Sequence, residues 1–306
     1  MKKTPKKRIW RLYNESLVKR GDVTLWFDEE AIAVWREPIR LGKRGRPQQF
    51  SDACIEVLLT IREVFHLTYR SAEGFARSMF KLLQIEETLV PDYTLLCKRA
   101  KTIDIKVKTY RRTQPTVFLI DSTGLKVYGE GEWKVRAHGV SKRRTWRKIH
   151  ILRGNDGQIH ACLTTDSSVD DATAGIVLLE GIKGKIDTVI ADGAYDKRKV
   201  YQYASKRGIR PIIPPRKDGR FVSTGSYGKS GHYRNEAVLR SRCGWLNSWK
   251  ENTGYHKRSL VETEMYRLKQ ITGSRLKSRL FETQKAEIII KINLLNKFAS
   301  MSGIFR

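Results

Sequence analysis

Two short apolar runs rich in β-branched residues constrain this chain more than any other feature, because each ends on an aspartate. Thr116-Val117-Phe118-Leu119-Ile120 leads into Asp121-Ser122-Thr123-Gly124, and Thr188-Val189-Ile190-Ala191 leads into Asp192-Gly193-Ala194-Tyr195-Asp196. Unbroken runs of this kind predict central strands buried on both faces. Each expected strand therefore carries a carboxylate to its C-terminal end. Leu125 to Tyr128 reads as a second strand, and Arg147 to Leu152 and Gln158 to Leu163 as a third and fourth joined by the turn Gly154-Asn155-Asp156-Gly157, which makes an antiparallel meander. A helix is expected from about Asp171 to Gly181 and another from about Lys197 to Lys206. Arg210-Pro211-Ile212-Ile213-Pro214-Pro215 reads as an edge-like strand, since proline cannot donate to a ladder. Residues 216–236, rich in Gly, Ser, Lys and Arg, read as a mobile basic loop.

Upstream the period is helical. Ile55, Leu58, Leu59, Arg62 and Phe65 follow a cap at Ser51 or Asp52, a second helix is expected from about Thr68 to Leu83, and a third follows the cap Asp92 and carries Lys98, Arg99 and Lys101. Three short helices with a basic third one fit a helix-turn-helix-like module that presents Lys98 and Arg99 to DNA. Any small three-helix bundle gives the same pattern. Residues 1–50 read as a basic arm with one helix from the cap Asp28 to about Trp35, and then Gly42-Lys43-Arg44-Gly45-Arg46-Pro47, either a solvated tether or an arm that contacts phosphates or the minor groove.

Composition narrows the partner. Sixty Lys and Arg against thirty-two Asp and Glu leave a formal charge of +28 on 306 residues, a self-repulsion that a polyanion relieves. Nucleic acid is the leading candidate. A membrane is not expected, because no apolar run reaches the roughly 18 residues of a spanning helix, and Lys2 to Arg8 is not followed by the apolar stretch of a secretory signal. The expected location is the cytoplasm. Cys54, Cys97, Cys162 and Cys243 lack the paired spacings of a zinc or redox site and are expected to be reduced, mostly buried thiols; His150 and His160 are expected within a sheet rather than on a metal.

Polyanion chemistry needs ligands for hard cations. When phosphoryl groups are transferred, charge develops on phosphate oxygens, and two metal ions held by a few carboxylates stabilise the attacking and leaving oxygens. Asp121 and Asp192 supply two such groups. A third is expected from a helix beside the sheet. Tyr255, Arg258, Glu262 and Lys269 fall at roughly +60°, 0°, +40° and +20° when plotted at about 100° per residue, a single stripe. Leu260, Val261, Met265, Leu268 and Ile271 fill the adjoining apolar arc, and Glu264, an alternative third acid, points into the middle of it.

Tyr255-x2-Arg258-x3-Glu262-x6-Lys269 matches the tyrosine-arginine-glutamate-lysine signature of the insertion-sequence transposases of the insertion sequence 4 and 5 families. The segments around Asp121 and Asp192 resemble the first and second aspartate boxes of those families. Spacings of 71 residues between the aspartates and 70 from Asp192 to Glu262, with the Gly45-Arg46-Pro47 to Ser51-Asp52 entry, look most like the insertion sequence 5 group. The resemblance covers nearly the whole chain. It implies an α/β fold, an RNase H-like mixed sheet flanked by helices and preceded by a small all-α module, with divisions at 1–50, 51–112 and 113–306. It implies Asp121, Asp192 and Glu262 as catalytic metal ligands for Mg2+, with Mn2+ an expected substitute, and Tyr255, Arg258 and Lys269 as contacts to DNA backbone. The implied reaction is hydrolysis at the ends of an element, then attack of the freed 3′-hydroxyl on target DNA, in a bacterial, nucleoid-associated protein.

Two further basic stretches bear on the DNA partner. Lys134 to Lys148, including Arg143, Arg144 and Lys148, reads as a backbone-contacting loop. Trp245, Trp249 and Tyr255 interleave with cations in a pattern suited to base stacking, although tryptophans more often pack inside a protein. A homodimer or larger assembly on double-stranded DNA is expected from the need to bring two ends together. The competing readings are a DNA-binding regulator that does not cut and an RNase H-like nuclease without strand transfer.

Overall fold

Three side-chain caps set the helices of the N-terminal half of the chain. The computed structural model describes residues 10–27, 29–37, 47–111, 114–127 and 146–301, and the chain divides into one unit of Met1–Lys106 with Ile271–Arg306 and another of Val107–Gln270. The first unit begins with α1 (Trp10–Val18), which the sequence reading missed, and α2 (Glu29–Ala33), inside the helix expected to end near Trp35. The cap expected at Asp28, the Lys2–Arg8 stretch and the Gly42–Arg46 linker lie outside the described residues. Then follow α3 (Asp52–Val64), α4 (Tyr69–Leu82) and α5 (Tyr93–Thr102). Ser51 Oγ accepts from the Cys54 amide at 3.0 Å, Thr68 Oγ1 from Ser71 at 3.1 Å, and Asp92 Oδ1 from Thr94 and Leu95 at 2.8 and 3.1 Å. Each cap stabilises its helix by about 1 kcal/mol. Trp35, Ile55, Leu58, Phe80 and Leu96 meet in one core, and the Trp35 indole donates to the Leu89 carbonyl at 2.8 Å.

The second unit is organised on a mixed sheet of β1 (Val117–Val127), β2 (Trp146–Gly154), β3 (Ile159–Asp166), β4 (Thr188–Ile190) and β5 (Arg210–Ile212), in the order β3-β2-β1-β4-β5. The first three form the expected antiparallel meander, and β4 and β5 run parallel to β1. This is the RNase H-like arrangement. The hairpin between β2 and β3 turns at Gly157, whose φ of +87° favours glycine. Proline at position 211 sits on the edge strand β5. Helices α6 (Asp171–Glu180) and α7 (Arg198–Arg207) pack Leu178, Leu179, Val200 and Tyr201 into a core with Phe118, Ile120 and Val189.

Three expectations need correction here. The strand through Asp121 does not end there and restart at Leu125: β1 is continuous, Asp121 lies opposite Ile151, and the ladder persists to Lys126 opposite Trp146. Gly124 keeps the strand intact because the Trp146 ring covers it; a Cβ there would lie 3.1 Å from the indole. Second, residues 216–236 are not simply a loop, since α8 (Thr224–Tyr227) and α9 (Gly231–Arg242) run through them. Asn235 brackets the Val222 backbone from both sides at 2.8 and 2.9 Å, and Arg234 is buried in an ion pair with Asp196, so local polarity is used internally. Third, of the four cysteines only Cys54 is fully buried, and Cys243 is exposed. The chain continues through α10 (Leu246–Thr253) and α11 (Ser259–Thr272).

The last helix, α12 (Phe281–Met301), belongs with the first unit, although the reading had placed it in the catalytic division. Ile290, Leu294 and Phe298 join the core of α3 to α5, and a buried ionic cluster fixes the register. Lys291, fully buried, lies 2.8 Å from Glu287 and 3.7 Å from Glu63; Glu63 also accepts from Arg62 at 2.6 Å. Glu287 in turn accepts the amides of Lys277 and Ser278 at 3.0 and 2.8 Å. Removing one partner leaves buried charge uncompensated, which costs about 3–5 kcal/mol. Lys291→Met is therefore expected to lower the unfolding free energy obtained from urea titration by that much; a change below about 1 kcal/mol would show the cluster to be dispensable.

His150 and His160 lie on β2 and β3, within the sheet. His150 is fully buried, with Nε2 2.9 Å from Thr165 Oγ1 and Nδ1 3.4 Å from Asp171. Burial outweighs the attraction of Asp171 and lowers its pKa to about 4. Below the ordinary histidine value of about 6.5 the unfolded chain binds a proton that the folded chain refuses. Stability should thus fall as pH drops from about 6.5 to 4, by up to about 3 kcal/mol from this group. Urea titrations across that window should show a shallower fall for His150→Gln than for the wild type, the difference being the contribution of this group.

Candidate active site

The acidic site of the second unit is built from β1, the end of β4 and the start of α11. Asp121 and Thr123 are two residues apart on β1 and share a face of the sheet. Asp192 follows β4 and opens a 3-10 turn (Gly193–Tyr195), its Oδ1 accepting the Ala194 amide at 2.9 Å. That turn is held down by Tyr195, which is buried against α6; Gly175 makes room, since a Cβ there would lie 2.7 Å from the phenol ring. Neither aspartate is fully buried, and Glu262 is exposed in the first turn of α11.

The stripe Tyr255, Arg258, Glu262 and Lys269 does not lie on one α-helix. Tyr255–Arg258 form a 3-10 turn behind Gly254 (φ +72°), and α11 begins at Ser259. The tighter turn still delivers the cations to β1. Arg258 Nη1 donates to Asp121 Oδ2 at 3.0 Å while Nη2 donates to Glu262, and Lys269 Nζ donates to Thr123 Oγ1 at 2.7 Å. One guanidinium thus bridges two carboxylates that come from positions 141 residues apart in sequence.

Electrostatics link the remaining members. Burial raises the Asp121 pKa, its own Ser122 amide and Arg258 oppose that rise, and Asp192 and Glu262 add to it by repulsion. Tyr255 is raised by burial and by Asp192 and Asp121, against the pull of Arg258. Arg258 is held protonated despite partial burial by Tyr255, Asp121, Glu262 and Asp192 together. All three acids and the tyrosine therefore act on a single cation, Arg258, and Asp192 and Glu262 both repel Asp121. Among the described residues no three acidic, imidazole or thiol side chains close directly around a metal-sized space; Arg258 stands between Asp121 and Glu262.

Glu264 has a different fate from Glu262. It is buried at 2% exposure, 3.6 Å from the buried Arg153 of β2 and 3.1 Å from Arg267, and desolvation raises its pKa against both cations. Its place in the apolar arc is thereby explained: it anchors α11 to the sheet. The sequence could place Glu264 inward but could not name Arg153 as its partner.

The other expected DNA contacts are dispersed. Lys148 is in β2 rather than in a loop and pairs with Asp171 at 3.2 Å and the Val169 carbonyl at 3.1 Å. Arg143 and Arg144 lie outside the described residues. In the first unit, Lys98 is exposed on α5, whereas Arg99 donates to the Phe50 carbonyl at 3.1 Å and to Asp52, joining α5 to the start of α3. Trp249 is buried and packs near Tyr255 with ring centroids 6.3 Å apart, while Trp245 is exposed. No helix of the described residues is long and apolar enough to cross a membrane.

The contrast between the two glutamates is measurable. Glu264→Ala should cost about 3–5 kcal/mol of unfolding free energy by taking a buried carboxylate away from the buried Arg153, and Glu262→Ala, which removes an exposed i,i+4 pair, less than about 1 kcal/mol. Equal losses in chemical denaturation would contradict the structural assignment of Glu264.

Two family profiles, both of the transposase DDE domain, match residues 18–130 and 112–297. Among solved structures the chain has a likeness to the Mos1 transposase paired-end complex with left transposon end, at 8% identity over 72% of this chain and 79% of that one, with a TM-score of 0.23. The profile across residues 112–297 spans more than half of the chain and contains every member of the acidic site, so the chain belongs to the DDE transposase family.

Proposed function

We propose that the chain is an insertion-sequence transposase of the insertion sequence 5 family that binds terminal inverted repeats, cuts DNA at the element ends and joins the 3′-hydroxyl ends to target DNA. The observation that carries this reading is the Arg258 guanidinium held between Asp121 and Glu262 within the field of Asp192. Three acids that repel one another and draw in a cation have the oxygen donors that a hard divalent ion requires. In this reading Asp121, Asp192 and Glu262 hold Mg2+ or Mn2+, and the ions, once bound, stabilise charge on the attacking and leaving oxygens. Arg258 must leave Asp121 for the carboxylates to close, and a DNA phosphate offers it a bidentate partner of the same charge. Lys269, resting on Thr123, and Tyr255, beside Arg258, then line the same strand of substrate.

Lys98 of the helical unit, with Arg143, Arg144 and Lys148, completes the proposed set of DNA contacts, and Arg99 belongs to it if its link to Asp52 opens. The assembly is proposed to be a dimer or larger on DNA. The family membership favours an enzyme over a regulator, and retention of all three acids agrees with it.

Asp121→Ala should retain binding to element ends in gel-shift titrations while losing cutting by at least about 100-fold, given that a single electrostatic contact to developing charge contributes that much. A pre-cut end with a free 3′-hydroxyl should be joined to a second duplex by the wild type; cutting without joining would instead indicate a nuclease. Without DNA, Arg258→Ala should bind Mn2+ more tightly than the wild type in calorimetric titration, since it removes the competing cation. Weaker binding would contradict the role given to Arg258.

A further inference from the structure

A concave site lies in the same unit, its floor four residues along the chain from Asp192, and neither the acidic site nor the Tyr255 to Lys269 signature contributes to its lining. It is a cavity of about 750 Å³ floored by Asp196 and Arg234 and rimmed by Arg216, Lys217, Arg220 and Arg242. Asp196 is fully committed: its Oδ1 accepts from Arg234 Nε at 2.6 Å, and its Oδ2 accepts from Arg234 Nη2 and from the Arg216 amide, both at 3.2 Å. Arg234 also donates to the Arg220 carbonyl, so the buried pair holds the backbone of the rim as well as the floor. Arg242 lies over the Phe221 ring at 4.8 Å and reaches the Gly219 carbonyl at 3.4 Å. The side chains of Arg216, Lys217 and Arg220 are exposed and carry no ion pair or side-chain hydrogen bond among the described residues.

Five cations face two carboxylates, Asp196 and Asp218, across this hollow, a net charge of three. Such a concentration of like charge on a rigid floor is costly unless an anion enters, and concave walls focus the field. Its size falls in the range of ligand pockets, about 300–1,000 Å³, and exceeds what a lone phosphate needs. Its position limits the occupant further. Four residues of chain span at most about 14 Å, so Asp196 lies within that reach of Asp192. Nucleotides on one strand of a duplex advance about 3.4 Å per step.

We infer that this cavity binds a non-scissile phosphodiester of the DNA substrate, within about four nucleotides of the phosphate held at Asp192. The register distance rests on the reading of the acidic site given above; the anion site itself does not. Arg216, Lys217 and Arg220 close on the phosphate, and the Asp196–Arg234 pair keeps them in place.

The test is a methylphosphonate scan, in which single phosphates of an element-end duplex are replaced by a neutral group and affinity is read for the wild type and for Arg216→Ala/Lys217→Ala/Arg220→Ala. One position within about four nucleotides of the cut should weaken wild-type binding about tenfold and leave the triple variant unaffected, and the variant's slope of log K against log salt should be shallower by about one. The single variant Arg220→Gln, at an exposed position, should show a smaller change in the same direction with an unchanged thermal midpoint. Identical scans and slopes for wild type and triple variant would overturn the inference. So would saturation of the cavity by micromolar inorganic phosphate with no effect on DNA affinity. Asp121→Ala should give the wild-type scan, so that failure of the acidic-site reading, seen as continued cutting by that variant, is distinguishable from failure of this one.

Discussion

A guanidinium between two carboxylates organises this enzyme's site. Asp121 is on the central strand, half buried, where its charge is disfavoured by desolvation and by the neighbouring acids; Arg258 offsets that cost from a 3-10 turn and holds Glu262 at the same time. The arrangement makes demands on the rest of the unit. The strand must be rigid, and β1 is central in the sheet with antiparallel and parallel neighbours. The helix that bears Glu262 must be fixed along its length, and Glu264 with Arg153 at one point and Lys269 with Thr123 at another provide that. The turn that bears Asp192 must not drift, and the buried Tyr195 ring against Gly175 restrains it.

The same logic of paired buried charge recurs away from the site. Asp196 with Arg234 ties the segment after β5 to the turn below Asp192, and Glu63, Lys291 and Glu287 tie the last helix into the first unit. A chain with a net charge of +28 has few acids to distribute. Among the described residues its buried acids are used as fixed anchors for cations, and the excess of Lys and Arg in the whole sequence makes a polyanion the natural partner.

Much of this was legible in the sequence because it rests on local periodicity. The helix starts near Ser51 and Thr68, the cap at Asp92, the meander of β1 to β3 and the delivery of Asp192 by β4 follow from patterns a few residues long. The resemblance of the Tyr255 to Lys269 signature pointed to Asp121 and Glu262 together, but the Arg258 bridge between them comes from a 3-10 turn that the single helical stripe did not foresee. What escaped depends on partners far along the chain. Asp121 looked like a strand terminus because the polar Ser122-Thr123-Gly124 break the apolar run, yet the Trp146 ring covering Gly124 and the ladder to β2 carry the strand through. The helices around 224–242 were hidden by a Gly- and Ser-rich composition whose order derives from Asn235 and Arg234 meeting residues 13 to 38 positions away. Arg99 looked like a free cation on a basic helix, and only the fold reveals Phe50 and Asp52 at its tip.

The central claim is that the acids at 121, 192 and 262 share divalent ions once Arg258 has turned away. Anomalous scattering from Mn2+ in crystals of the enzyme bound to an element-end duplex tests it most directly. The account predicts peaks whose ligands include a carboxylate oxygen from each of the three residues at about 2.0–2.6 Å, with Arg258 on a phosphate. Peaks held by one of these acids alone, or a site that leaves Arg258 bridging Asp121 and Glu262 while DNA is cut, would contradict it.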